Sequence, residues 1–216
     1  MKRKILFMLL VISGTLQAQD LFFKTGFNLS SFQYKSASGA ASEDLQSDLG
    51  NAYEIGYRLM FADRSKFAFE LGLVINEYNA LVGVPNASLK WKTGYIGLQS
   101  TISYPVIQIK SFSFDLKGGG GINTIFYGKQ DINGVVFDIK NNDDFNDAVF
   151  HLLLGAQANF KASEHCRLSL GYNYLKTINN LRKPEQFYMQ SNQIMFGIYL
   201  TRGKKQILNT NTNTNN

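Results

Sequence analysis

Eight segments of this chain alternate strictly between two kinds of side chain, and each segment carries a glycine on its less apolar face. In the first segment, Phe23 and Phe27 lie on one face and Gly26 lies on the other. A period of two is typical of β-strands, whose successive side chains point to opposite faces. The glycines of the eight segments are Gly26, Gly56, Gly72, Gly97, Gly119, Gly155, Gly171 and Gly197. The chain is thereby constrained to strands with one apolar face and one face that mixes small and polar residues.

The composition of the two faces predicts which of them points outward. A closed barrel of about eight strands is only wide enough inside for side chains to fill, so small inward residues are expected among larger polar ones. A soluble lipid-binding barrel would instead bury the apolar face, and its exterior would have no steric need for glycine. We therefore predict an all-β fold, an eight-stranded antiparallel up-and-down transmembrane β-barrel with its apolar side chains towards lipid.

The connections between these strands are alternately short and long, as in outer membrane barrels, which have short periplasmic turns and longer external loops. Both ends of the chain are then expected on the periplasmic side. Short connections are predicted near residues 62–66, 105–110 and 161–166, and long ones near 35–50, 77–90, 128–147 and 175–187.

The first 18 residues have the layout of a cleaved secretory signal peptide. Lys2, Arg3 and Lys4 precede an apolar run over residues 5–12, which is too short to span a bilayer as a helix. Loss of these three basic residues reduces the formal net charge from +6 to +3, and no basic aromatic platform is present, so no nucleic-acid partner is predicted. The barrel domain is predicted over residues 19–202, followed by a disordered low-complexity tail over 203–216.

Three sequence motifs carry a resemblance to a known family. They are the signal ending LQAQ, the opening strand KTGFNLSSF and the fourth strand YIGLQSTISYPV. With the glycine-bearing strands, they resemble the PorT-like outer membrane β-barrel family of Gram-negative bacteria over essentially the whole mature chain. The resemblance implies an integral outer membrane protein, and the namesake of the family is implicated in protein secretion across that membrane.

Charged residues on the inward faces are the most informative chemistry that the sequence places inside the barrel. With a turn near residue 64, Arg58 and Glu70 are expected to lie opposite each other on neighbouring strands, where opposite charges satisfy one another. The cluster is interpreted as a self-bonded polar plug, and the alternative is a narrow path for ions or small solutes. The predicted lumen-facing charges are Lys24, Glu54, Arg58, Glu70, Asp115, Lys117 and Arg167.

The third external loop is the predicted partner surface. Its hydrophobic stretch Val135, Val136, Phe137 and Ile139 lies within an otherwise polar loop and suggests an extended hairpin above the membrane. The same loop is rich in aspartate, which leaves calcium binding open, although the spacing does not match an EF-hand. The aspartates are Asp131, Asp138, Asp143, Asp144 and Asp147.

No residue pattern in the chain indicates catalysis, a metal site or a cofactor. His151 is the only histidine on a predicted strand, and no GxSxG motif accompanies it. The run Gly118–Gly121 is not followed by GK[ST], so it does not predict a phosphate loop. The protein is accordingly predicted to be a non-enzymatic structural or partner-binding component in the outer membrane bilayer, serving secretion or envelope assembly through an envelope protein partner. A conducting barrel and, less favoured, a lipid-modifying enzyme are the alternatives.

Overall fold

The computed structural model of the protein describes residues 19–35, 46–60, 66–84, 87–140, 148–178 and 186–201. The predicted signal peptide and C-terminal tail lie outside these residues. No helix in the described ranges is long and apolar enough to cross a membrane. The strands are β1 (Gln19–Lys35), β2 (Gln46–Met60), β3 (Ala68–Val84), β4 (Ala87–Ile109), β5 (Phe112–Ile132), β6 (Val135–Asp138), β7 (Val149–Lys161), β8 (Cys166–Ile178) and β9 (Gln186–Thr201).

Eight of these strands close into an antiparallel barrel, which confirms the predicted fold class. Neighbours in sequence pair around the wall, and β1 closes the barrel by pairing with β9 from Asp20↔Thr201 to Lys35↔Gln186. β6 is not part of the wall, because its pairing among the described residues is with β5 alone, over residues 129–132 of that strand. Closure leaves no open edge within the wall, as strands that cross a membrane require.

The predicted inside and outside faces are the observed ones along every wall strand. Apolar side chains such as Leu154, which is 67% exposed, cover the exterior. Polar residues and glycine point inward, and the lumen is filled by side chains. An apolar exterior over a polar interior is the arrangement that a lipid bilayer stabilises.

Two of the predicted connections are largely strand in the structure. The predicted long loop over 77–90 is occupied by β3 up to Val84 and by β4 from Ala87. The predicted turn over 105–110 is also mostly β4, which continues past a register shift at Pro105/Ile107 and turns at Lys110 (φ 48°). The polar and apolar contrast between faces fades in both places while backbone pairing continues, so periodicity underestimates the strand lengths.

A cluster of buried hydrophobic residues closes the lumen at the end with the long connections. Tyr78 and Tyr95 are its largest buried side chains, and their rings meet edge-on with centroids 5.6 Å apart. This cluster, here called the external core, was not predicted. It consists of Phe32, Tyr78, Ala80, Tyr95, Ile125, Ile139 and Met189, with Trp91 and Val149 packed against it.

Candidate functional site

Strand register brings the inward charges into contact in the half of the lumen nearer the short turns. Lys24 of β1 lies opposite Glu54 of β2, and Arg58 of β2 lies opposite Glu70 of β3, as the sequence predicted for the second pair. Directly paired residues of neighbouring strands share a face, and Glu54 and Arg58 are four positions apart on β2, so all four side chains point to the same side of the sheet. The barrel curvature then turns them towards Asp115 on β5.

Glu70 is the centre of this charged cluster. Its carboxylate accepts a hydrogen bond from Lys24 Nζ at 2.7 Å and one from the Tyr199 hydroxyl at 2.8 Å. Lys24 Nζ also lies 3.1 Å from Glu54. Arg58 lies 3.6 Å from Glu70 and 3.3 Å from Asp115, so the ion pairs link four strands across the lumen.

The positive and negative side chains of the described lumen are equal in number when Asp20, which the sequence did not predict to face inward, is included. Asp20 pairs with Arg167 at 3.4 Å near the periplasmic end. It precedes the first predicted strand, and extending the alternation back by two residues would have placed it inward. The described lumen then holds the cations Lys24, Arg58, Lys117 and Arg167 against the carboxylates Asp20, Glu54, Glu70 and Asp115.

Lys117 is the least paired cation of the lumen. Its ammonium donates a hydrogen bond to Gln157 Oε1 at 3.2 Å, and no carboxylate of the described chain lies within ion-pair distance of it. A Cβ added to Gly155 would lie 3.2 Å from Lys117 Cε, and one added to Gly197 would lie 3.0 Å from Lys24 Cγ. These two inward glycines therefore leave the space that long cationic side chains occupy.

His151 lies in the same lumen, towards the external end, and amides hold both of its ring nitrogens. Nδ1 is 3.1 Å from Asn123 Nδ2, and Nε2 is 3.0 Å from Gln99 Oε1. These partners assign the neutral tautomer with its proton on Nε2, since the Asn123 nitrogen donates and the Gln99 oxygen accepts. No hydroxyl or carboxylate from the described ranges hydrogen-bonds the ring.

The predicted partner surface projects beyond the wall as a hairpin of β5 and β6. Asn133 (φ 53°) and Gly134 (φ 87°) form its two-residue turn, and both have the positive φ that a type I′ turn requires. Val136 and Phe137 are 59% and 47% exposed, and Val135 is also exposed. Ile139 corrects the predicted set, because it is only 6% exposed and packs in the external core.

One edge of β6 has no strand beside it among the described residues, because its only pairing is with β5. The backbone groups along that edge are flanked by valine and phenylalanine side chains. Proteins usually protect such an edge with charge, proline or a covering element. β6 is only four residues long and ends in Asp138, but its apolar residues Val135, Val136 and Phe137 still present a short edge to which another strand can add.

The loop aspartates divide between described and undescribed residues. Asp131 accepts a hydrogen bond from Gly134 N at 2.7 Å, and Asp138 accepts one from Lys140 N at 2.8 Å, so both stabilise local turns. Asp143, Asp144 and Asp147 lie outside the described residues. Within the part of the chain that is described, no group of three or more histidine, cysteine, aspartate or glutamate side chains is placed to hold a metal ion.

An apolar exterior and a closed wall around a polar, charge-balanced lumen together define an integral outer membrane β-barrel protein. Residues 5–198 match the family model described as outer membrane protein beta-barrel domain, and the chain belongs to this family. The protein is located in the outer membrane. No curated protein matches the chain.

Several solved structures are similar to this one. Neisserial surface protein A is 13% identical, with 83% of this chain and 96% of that chain covered and a TM-score of 0.47. OprG from Pseudomonas aeruginosa is 18% identical, with 86% and 97% covered and a TM-score of 0.44. The outer membrane protease OmpT from Escherichia coli is 6% identical, with 87% and 98% covered and a TM-score of 0.45. Similarities at this level do not assign an activity.

Proposed function

We propose that this protein is a non-enzymatic outer membrane barrel that holds a protein partner at the free edge of β6, as a component of secretion or envelope assembly. The observation that carries the proposal is the exposed apolar edge strand Val135–Asp138, which projects from a barrel whose lumen is filled. A filled lumen leaves the outer surfaces as the parts of the molecule that can engage other molecules.

Strand addition is the binding mode that fits this edge. A strand of the partner would hydrogen-bond to the backbone of β6, and its side chains would pack on Val136 or on Phe137 and Val135, according to the face. The wall supports the hairpin rigidly, because β5 pairs with β4 over Leu89↔Ile132 to Lys92↔Lys129 as well as with β6. A rigid edge loses little conformational entropy on binding.

The link to secretion rests on the resemblance of the LQAQ, KTGFNLSSF and YIGLQSTISYPV motifs to the PorT-like barrels. That family's namesake is implicated in secretion, and an exported protein or a secretion component would present strands of the required kind. The partner we propose is therefore a protein of the cell envelope.

A narrow conducting barrel is the second candidate function. Several buried polar atoms above the charged cluster have no hydrogen-bond partner among the described residues, including Asn28 Oδ1, Asn76 Nδ2 and Asn173 Oδ1. Such atoms are sites for ordered water. Conduction would, however, require the external core to open, because its buried aromatic side chains lie in the path. The lipid-modifying alternative ranks lower still, since amides occupy both nitrogens of His151.

The proposal is tested by crosslinking in intact cells from a photoreactive residue at position 137. A matched probe at Phe160, an exposed aromatic at the other end of the wall, serves as the control. We expect one envelope protein to be captured in stoichiometric amount from position 137 and not from 160. The added variant Val136→Lys, which charges the edge, should reduce that capture. Equal capture from both positions, or capture that Val136→Lys leaves unchanged, would contradict the proposal.

A further inference from the structure

A basic pocket of about 320 Å³ lies at the periplasmic mouth of the barrel, the end that carries the short turns. Its floor is formed by the buried lumen side chains of Arg58 and Asp115. Its rim is formed by three exposed lysines, Lys66, Lys110 and Lys161, which lie at or beside three different short turns of the wall. The pocket is separate from the β6 edge, which lies at the opposite end of the barrel.

The pocket carries an excess of positive charge. Five cations line it, the three rim lysines with Arg58 and Arg167, and Asp115 is the one carboxylate among its described lining residues. The charged pairs inside the lumen already balance one another, so they do not neutralise the rim. No carboxylate in the described ranges lies within 4.0 Å of the ammonium group of Lys66, Lys110 or Lys161. A concave site lined by one sign of charge concentrates ligands of the opposite sign.

Arg58 adds hydrogen-bond donors that lack acceptors. Its side chain is buried, with 5% of the residue exposed. Nη2 reaches Asp115 and Nη1 faces the Glu70 carboxylate at 3.6 Å, but neither Nε nor Nη1 has a hydrogen-bond partner among the described residues. A buried donor without an acceptor costs free energy, and a ligand oxygen removes that cost.

We propose that this pocket binds a phosphate group, either as a free phosphate or as the headgroup of an anionic phospholipid. The planar guanidinium of Arg58, whose Nε–H has no partner among the described residues, matches the oxygens of phosphate, and several lysines together neutralise the phosphate charge. Basic side chains at a membrane surface also attract anionic lipid headgroups. Phe112, an exposed aromatic residue of the wall exterior, also lines the pocket, so the pocket opens beside the lipid-facing surface and both sources of phosphate can reach it.

The test uses the full-length mature protein in maltoside micelles, which contain no phosphate. Calorimetric titrations with inorganic phosphate and with short-chain phosphatidylglycerol identify the source, and short-chain diacylglycerol controls for the acyl chains. The test variant is Lys66→Gln/Lys110→Gln/Lys161→Gln. The matched control is Lys90→Gln/Lys92→Gln/Lys129→Gln, which removes the same charge from exposed lysines at the external end. We expect the rim variant to bind about tenfold more weakly or worse, and the control to bind as the parent protein does.

Each outcome is decisive. Binding of inorganic phosphate that the rim variant loses supports a free phosphate ligand. Binding of phosphatidylglycerol alone, again lost only in the rim variant, supports a lipid headgroup. The proposal is overturned if neither ligand binds, if the rim variant binds as tightly as the parent protein, if the external control variant weakens binding as much as the rim variant, or if diacylglycerol binds as well as phosphatidylglycerol. An acidic glutamate peptide is titrated in the same way. Binding of this peptide without binding of either phosphate ligand would also overturn the proposal.

Discussion

Replacement of Glu70 by glutamine tests whether the charged cluster stabilises the barrel as its geometry indicates. Glu70 is 1% exposed and accepts hydrogen bonds from Lys24 at 2.7 Å and from Tyr199 at 2.8 Å. Glu70→Gln leaves the lumen with one uncompensated positive charge. Removal of one partner from a buried ion pair costs about 3–5 kcal/mol. The glutamine oxygen can still accept one hydrogen bond, so we expect a loss of about 3 kcal/mol in the free energy of unfolding.

The assay is reversible urea unfolding of the protein in lipid vesicles. Trp91 is the single tryptophan of the chain and packs against the external core, so its fluorescence reports loss of the barrel interior. Glu164→Gln is the matched control, because Glu164 is exposed in the turn between β7 and β8. If Glu70→Gln and Glu164→Gln lower the free energy of unfolding by the same amount within about 0.5 kcal/mol, the reasoning about the cluster is refuted.

Two further predictions each compare a substitution in the lumen with a control substitution of the same residue type. Tyr199→Phe should lower the free energy of unfolding by about 1–3 kcal/mol, because its hydroxyl hydrogen-bonds to two lumen side chains. Tyr95→Phe should change it by less than about 0.5 kcal/mol, since the Tyr95 hydroxyl has no hydrogen-bond partner in the described part of the chain. Similar losses of unfolding free energy for Tyr199→Phe and Tyr95→Phe would show that the hydrogen bonds of the Tyr199 hydroxyl do not stabilise the barrel. Gly119→Ala places a Cβ against the backbone of β4 and should cost about 1–3 kcal/mol in the same assay. The Cβ of Gly118→Ala would face lipid and meet a leucine methyl at 3.4 Å and the Leu153 carbonyl oxygen at 3.8 Å, both ordinary contacts. Equal destabilisation by Gly119→Ala and Gly118→Ala would show that the inward face is not the more crowded one.

The sequence predicts the wall of this barrel well because one physical signal governs it. Side chains on one face meet lipid and those on the other fill a narrow lumen, so the period of two persists wherever the strand crosses the membrane. The same signal placed Arg58 opposite Glu70, since a short turn fixes the register of a hairpin.

The signal fails where the strands leave the membrane. Above it, the inward residues of β3 include Tyr78 and Ala80, so both faces contain apolar residues and the strand cannot be recognised by contrast. The external core, the length of β4 and the burial of Ile139 were all missed for this reason. The pocket at the periplasmic mouth was missed because its lysines are far apart in sequence and only closure of the barrel brings them together.

A closed lumen is what leaves the outer surfaces of the barrel to carry the proposed function. Single-channel recording of the purified protein in planar bilayers tests whether the lumen is closed. The charged cluster and the external core predict no stepwise conductance from the parent protein. A reproducible unit conductance that is lost on neutralising Arg58 or Lys117 would contradict a closed lumen and establish a conducting barrel.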